Sequence, residues 1–239
     1  MSFLARLFHW FTTSANWTGS AGIPLLFERS LELSAAVVVL ALLLGGGLGV
    51  VLGHTGRGGL VAVNAANAFR AVPTLALLTL LAIQPAISLK WDGFLASGIA
   101  LTALAIPPIL TNTYTGMREV DADVRDAAKA MGLRSGHVLW RVEAPLALPF
   151  VMAGVRTAAI EVVATSTLAA YVGFSDLGTY VIAGLDTQNT VEAVAGALLV
   201  GAMAALVAGS LGLLGRAVTP PPLRVRRRIR DLAARPAAM

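Results

Sequence analysis

The sequence contains no cysteine, so disulfides, thiolate nucleophiles and cysteine metal ligands are excluded. Charge is scarce as well: 13% of the 239 residues are Asp, Glu, Lys or Arg, against about a quarter in an average soluble domain. The three histidines, His9, His54 and His137, stand too far apart to show metal-ligand spacing. Lysine occurs only at positions 90 and 129, neither of them in a glycine-rich phosphate loop. No Gly-x-x-x-x-Gly-Lys-Ser/Thr run is present, so the sequence carries no nucleotide-binding signature. There is no His-Glu-x-x-His run, no Gly-x-Ser-x-Gly elbow and no pair of intramembrane aspartates, which leaves little room for a membrane-embedded enzyme.

What is abundant is apolar. Hydrophobic residues make up 56% of the chain and the mean hydropathy is +0.76. A water-soluble core of this length could not cover that much apolar surface, so the bilayer is the expected solvent. Five stretches approach the roughly 20 apolar residues that a membrane span needs. They are Leu33 to Gly53, Phe69 to Leu89, Phe94 to Tyr114, Phe150 to Gly173 and Val191 to Leu214. The second and third contain proline, which membrane helices tolerate. The expected fold is an all-α membrane protein of about five transmembrane helices.

Numbering the connections from the N-terminus and placing the first one outside puts every Lys and Arg on the inside except Arg6, Arg29 and Lys90. The inside set includes Arg57, Arg70, Arg118 and Arg125. The positive-inside rule then predicts an outside N-terminus and a cytoplasmic C-terminus. Residues 1–30 read as an N-terminal interfacial segment rather than a signal peptide. Arg6 and His9 break its apolar stretch, and Phe3, Leu4, Leu7, Phe8, Trp10 and Phe11 suit a short amphipathic helix at the membrane surface. Residues 31–215 form the transmembrane part. Residues 216–239 are a basic tail that suits anionic lipid better than nucleic acid. Small residues recur every four positions at Gly45, Gly49 and Gly53, and again at Gly201, Ala205 and Gly209; such faces fit helix packing within one chain or between two.

The polar loop 116–149, cytoplasmic by the charge count, is the most informative segment. Ala122 to Met131 reads as a short helix with Asp121 as N-cap, and Gly132 as its left-handed C-cap. A second helix, about Gly136 to Glu143, is expected to stop at Ala144, where Pro145 disfavours helical geometry. Two helices hinged at a glycine suggest a docking surface.

The run Asp126-Ala127-Ala128-Lys129-Ala130-Met131-Gly132, followed nine residues later by Val142-Glu143-Ala144-Pro145, resembles the EAA loop of binding-protein-dependent ABC importer permeases. That pattern has Glu at the position of Asp126, Ile at Val142 and Leu at Ala144. The segments Arg70 to Leu78, Thr111 to Gly116 and Ala153 to Ala158 are similar to the osmoprotectant branch of that family, as are Thr165 to Ala170 and Leu177-Gly178. The resemblance covers most of residues 30–215. It implies a type I ABC importer permease fold whose cytoplasmic loop couples to a separate ABC ATPase subunit. By position, Asp126, Ala127, Ala128 and Gly132 form the docking contact, with Val142 and Pro145 completing the motif. It also implies an extracytoplasmic substrate-binding protein on the outer loops, including Phe174 to Asn189, and a second permease chain, identical or not. The implied cargo is glycine betaine, choline or carnitine. Another small solute such as an amino acid is the alternative, and a secondary transporter a more distant one. No cofactor is expected.

Glu161 is the one acidic residue well inside a span. Such a carboxylate is a functional candidate by default. It could line the pathway and attract a cationic solute, serve packing in protonated or hydrogen-bonded form, or pair with a distant arginine. With Thr165 and Thr167 it makes up the candidate pathway set.

Overall fold

The computed structural model describes residues 2–85 and 93–219. The end of the expected second span, Lys90 and the basic tail from residue 220 lie outside the described residues. Among the described residues the structure is entirely helical. We number the helices α1 (Phe3–Thr12), α2 (Ile23–Thr55), α3 (Gly59–Phe69), α4 (Thr74–Ala82), α5 (Phe94–Arg118), α6 (Ala122–Ala130), α7 (Ser135–Val172), α8 (Gly178–Asp186) and α9 (Thr190–Val218). Four of these, α2, α5, α7 and α9, are long and apolar enough to cross a bilayer, and α3 with α4 makes a fifth, broken candidate.

The first span starts at Ile23, ten residues before the apolar run that predicts it. Pro24 at the first helical turn sets the start. Glu28, Arg29 and Glu32 are therefore helical, in a 33-residue helix of about 50 Å at 1.5 Å per residue. A π turn at Leu42–Gly46 interrupts it. From there Gly45, Gly49 and Gly53 face α5. A Cβ on Gly49 would lie 2.8 Å from Thr113 Cβ, and one on Gly53 2.4 Å from Met117 Cβ. Only glycine allows that approach, so this stripe is intrachain packing. The stripe on α9 differs: Gly201 and Gly209 face open space.

The second span, expected over Phe69 to Leu89 with interruptions at Pro73 and Pro85, is broken at Pro73. α3 ends at Phe69, and α4 leaves Thr74 at 78° to it. Pro73 holds an extended backbone, φ −61° and ψ 118°, and forces the preceding residue out of helical geometry. Arg70 thus sits at the break between two apolar helices that together make the fifth span candidate.

The fourth span also departs from expectation. The helix that starts at Ser135 does not stop at Ala144 but continues through Pro145 and Pro149 to Val172. A π turn at Leu139–Glu143 immediately precedes Pro145. Because proline donates no backbone hydrogen bond, a register change at that point removes the conflict. The second loop helix and the fourth span are one element, α7.

α5 is the centre of the bundle. Leu101, Ala105 and Ile109 pack between Leu33, Val37 and Ala41 of α2 and Val155, Ala158 and Val162 of α7. A second cluster joins Ile23 and Leu26 of α2, Val163 of α7, Tyr180 of α8 and Met203 of α9. α1 is helical as the amphipathic pattern predicts, with Ser2 capping it. Phe3, Leu4 and Phe8 are exposed, while Trp10 meets the Tyr180 ring edge-on at 5.2 Å.

Candidate functional sites

α6 forms because its ends are fixed. The Asp121 carboxylate accepts the Asp123 amide at 3.0 Å. At the other end Gly132 takes φ +87°, Gly132 N donates to the Lys129 carbonyl at 2.8 Å and Leu133 N to the Ala128 carbonyl at 3.2 Å. This is a Schellman ending, and the left-handed position at its corner explains the glycine.

The sequence-predicted loop residues separate by environment. Ala128 is buried against the protein. Asp126 and Ala127 are exposed, and Val142 and Pro145 are half-buried along α7. Asp126 meets Lys129 at 3.1 Å on the open face, an exposed pair of little energetic weight. Three large exposed apolar side chains were not singled out from the sequence. Val124 and Met131 share a helical face with Ala127, at i, i+3 and i+7, and Met131 is 75% exposed. Trp140, on the first turns of α7, is 70% exposed and borders a surface depression with Arg134, Gly136, His137 and Arg141. The site is an apolar ridge with a basic rim.

Behind that ridge lies a buried polar cluster that ties α6 to the membrane helices. Glu143 is 2% exposed. Its Oε1 meets Arg125 Nε of α6 at 2.8 Å, and its Oε2 meets His54 Nδ1 at the end of α2 at 2.5 Å. His54 Nε2 lies 2.9 Å from Ser135 Oγ at the start of α7. Arg125 also donates to the carbonyl of Met117 at the end of α5. The Glu143 carboxylate thus joins α2, α6 and α7, and Arg125 extends the cluster to α5. A buried carboxylate needs such partners, since an unpaired charge there is costly.

The candidate pathway residues lie along α7. Glu161 Oε1 accepts from Arg70 Nη2 at 2.5 Å, with side chains 27% and 41% exposed. Of the three roles open to Glu161, pairing with an arginine is the one the structure contains. Glu161 Oε2 is buried and has no hydrogen-bond partner among the described residues. Thr165 is one turn on, on the same helix face and half-buried. Thr167 is turned toward its own helix, donating to the Ala164 carbonyl at 3.0 Å, and its backbone lies against Gly178. The break at Pro73 and α5 enclose a small depression lined by Phe69, Arg70, Val72, Thr74 and Leu77.

At the far end of α7 the chain turns through Asp176, which is fully buried. Its Oδ1 accepts the Gly178 amide at 2.9 Å, and the Asp176 amide donates to Thr179 Oγ1 at 3.2 Å, which fixes the turn into α8. Burial pushes its carboxyl up to about 7, against the lowering effect of hydrogen bonds from Gly178 and Ser166. Ser30 Oγ accepts the Leu177 amide at 2.9 Å, and Tyr180 donates its hydroxyl to the Ala21 carbonyl. These contacts fasten the 173–186 segment to the N-terminal region.

Residues 33–220 match the family of binding-protein-dependent transport system inner membrane components. The chain is 32% identical to the glycine betaine/carnitine/choline transport system permease protein of Bacillus subtilis, over 81% of this chain and 87% of that one. It is 31% identical to the choline transport system permease protein of the same organism, over 85% and 90%. It is 29% identical to an osmoprotectant import permease protein of Salmonella typhimurium, over 82% and 91%. In fold it is similar to the inward-facing methionine ABC transporter, with a TM-score of 0.70, 23% identity, and coverage of 80% of this chain and 94% of that one. An amino acid ABC transporter aligns at TM-score 0.67 and 18% identity, over 91% and 99%.

Proposed function

We propose that this chain, which belongs to the family of binding-protein-dependent transport system inner membrane components, is the permease subunit of an ATP-driven importer for quaternary ammonium osmoprotectants such as glycine betaine, carnitine or choline. The cargo reading rests on the relatives named as permeases for those solutes. The observation that carries the coupling role is the exposed ridge of Val124, Ala127, Met131 and Trp140, backed by the buried Glu143 cluster. A helix built only to connect two spans has no reason to present apolar side chains outward.

In this reading the ridge seats in a groove of a separate ATPase subunit, which hydrolyses ATP, since the sequence has no phosphate loop of its own. Asp126, Ala127 and Gly132 lie at the contact, Ala128 supports it from beneath, and Val142 and Pro145 carry the motion into α7. ATP-driven closure of the ATPase pair pulls on α6. Arg125 and Glu143 pass that displacement to α2, α5 and α7, because Glu143 joins α2 and α7 to α6 and Arg125 joins α6 to α5. Two permease chains enclose the pathway, with Glu161 and Thr165 facing it. A substrate-binding protein docks on the opposite side, around 173–189. The N-terminus is outside and the C-terminus cytoplasmic.

The test is assembly and coupling of the purified complex. Co-expression with an ATPase subunit and a binding protein of the same transporter class should give a complex whose ATP hydrolysis rises with binding protein loaded with glycine betaine. A rise with methionine-loaded protein alone would keep the importer and remove the osmoprotectant cargo. Solute uptake by the isolated permease without any ATPase would overturn the reading.

A further inference from the structure

The Arg70–Glu161 pair lies within the apolar span candidates. Glu161 stands eleven residues after Phe150, where the apolar run of α7 begins, about 16 Å along the helix, which is mid-depth when that run crosses a hydrocarbon core about 30 Å thick. Arg70 reaches that depth because α3 and α4 break beside it. Both side chains are accessible on the surface of the chain, 41% and 27%. Charged groups at this depth do not face lipid; they face protein or water. Given the importer reading above, on which this inference rests, that surface is the pathway between two permease chains.

The pair is also chemically incomplete. Glu161 Oε2 is buried and unpartnered among the described residues. Arg70 uses one nitrogen, Nη2, on Glu161, out of five N–H donors in a planar fork. Beside them the depression offers the ring of Phe69, itself 42% exposed, the Thr74 side chain and the apolar wall of Val72 and Leu77.

We propose that Arg70 and Glu161 form a transient solute site that opens by exchange of partners with a zwitterion. A solute bearing a carboxylate and a quaternary ammonium a few ångströms apart is the electrical complement of this pair. Its carboxylate takes the Arg70 fork in two parallel hydrogen bonds. Its ammonium, which has no N–H to offer, sits against Glu161 Oε1, the oxygen Arg70 releases, and the Phe69 face, where attraction is purely electrostatic. One ion pair becomes two, and neither protein charge is left alone in the bilayer. A cation such as choline satisfies Glu161 but strips Arg70 of its partner. The permease therefore favours zwitterions over cations independently of the binding protein.

The experiment uses the complete transporter in proteoliposomes, with radiolabelled glycine betaine and choline each supplied at saturating binding protein. The variants are R70Q, E161Q and the doubly neutral R70Q/E161Q. R70Q should lower betaine uptake by about tenfold or more, the size of a lost charge-assisted hydrogen bond, and spare choline, inverting the preference. E161Q should lower both. R70Q/E161Q, which leaves no buried charge, should still co-purify with the ATPase, showing an assembled complex, and carry the two solutes without preference. A wild-type betaine-to-choline ratio in R70Q/E161Q would overturn the proposal and leave the pair as packing. If the wild type carries some other solute, the osmoprotectant reading fails by itself. The same variants then judge the pair on that solute, and unaltered transport in R70Q/E161Q overturns it there as well.

Discussion

Replacing Glu143 should damage the protein more than its position in a polar loop suggests. Glu143→Ala removes the one carboxylate that Arg125 and His54 share. The Arg125 side chain is only 17% exposed, so its charge stays largely out of water with the Met117 carbonyl as its remaining partner. Breaking one side of a buried ion pair costs about 3–5 kcal/mol. At about 2–4 °C per kcal/mol for a chain of this size, the purified complex should lose roughly 6–20 °C in Tm. Glu143→Gln keeps the shape and loses the charge; its cost should fall nearer the roughly 1–3 kcal/mol of a poorly satisfied buried group. A double-mutant cycle with Arg125→Ala isolates the pair, because with both partners gone no buried charge remains. The Arg125→Ala, Glu143→Ala protein should therefore be more stable than the sum of the single losses predicts. A Tm within about 2 °C of wild type for Glu143→Ala, or simple additivity in the cycle, would refute the argument that this carboxylate ties α2 and α6 to α7.

Three further predictions follow from other parts of the chain. Gly53→Ala places a methyl 2.4 Å from Met117 Cβ and should cost about 1–3 kcal/mol by overpacking, while Gly201→Ala, in open space, should leave the Tm of the isolated chain unchanged. Asp176 is the source of a pH dependence: its carboxyl titrates at about 7 when folded against 3.8 ordinarily, so the folded state holds a proton that the unfolded state releases. Stability is then full below pH 4, falls as pH rises to about 7 and stays flat above, a loss on the order of 4 kcal/mol that Asp176→Asn should abolish in thermal melts from pH 5 to 8. On the exposed ridge, Ala127→Asp and Trp140→Ala should leave the melting of the permease unchanged and weaken retention of the ATPase in a pull-down, with Ala127→Asp the more severe, since it buries a charge in the contact.

The spans were legible because a bilayer demands long apolar runs, and hydropathy measures run length directly. It does not measure direction. Pro73 marks an interruption in the sequence, but hydropathy carries neither the 78° bend nor the helix that precedes it. Pro145 misled for the opposite reason: the rule that ends a helix before proline holds for an α register, and the π turn at Leu139–Glu143 removes its premise. Gly132 and Asp121 could be read because capping is local chemistry, decided within a few residues. His54 and Glu143 are 89 residues apart, and Arg70 and Glu161 are 91 apart. Nothing local announces either pair. The one available signal for the second was the isolation of a carboxylate inside a span, which demands a partner without naming it. Met131 and Trp140 were readable only once α6 and α7 had a defined outer face.

With the 116–149 segment as the coupling element, this chain passes solute only when an ATPase drives it. Uptake of radiolabelled glycine betaine into proteoliposomes containing the complete complex tests it most directly, with binding protein outside and ATP within reach of the ATPase. The account predicts accumulation that requires both ATP and binding protein and that Ala127→Asp abolishes in a permease that still melts like wild type. Accumulation without ATP, or undiminished in Ala127→Asp, would contradict it.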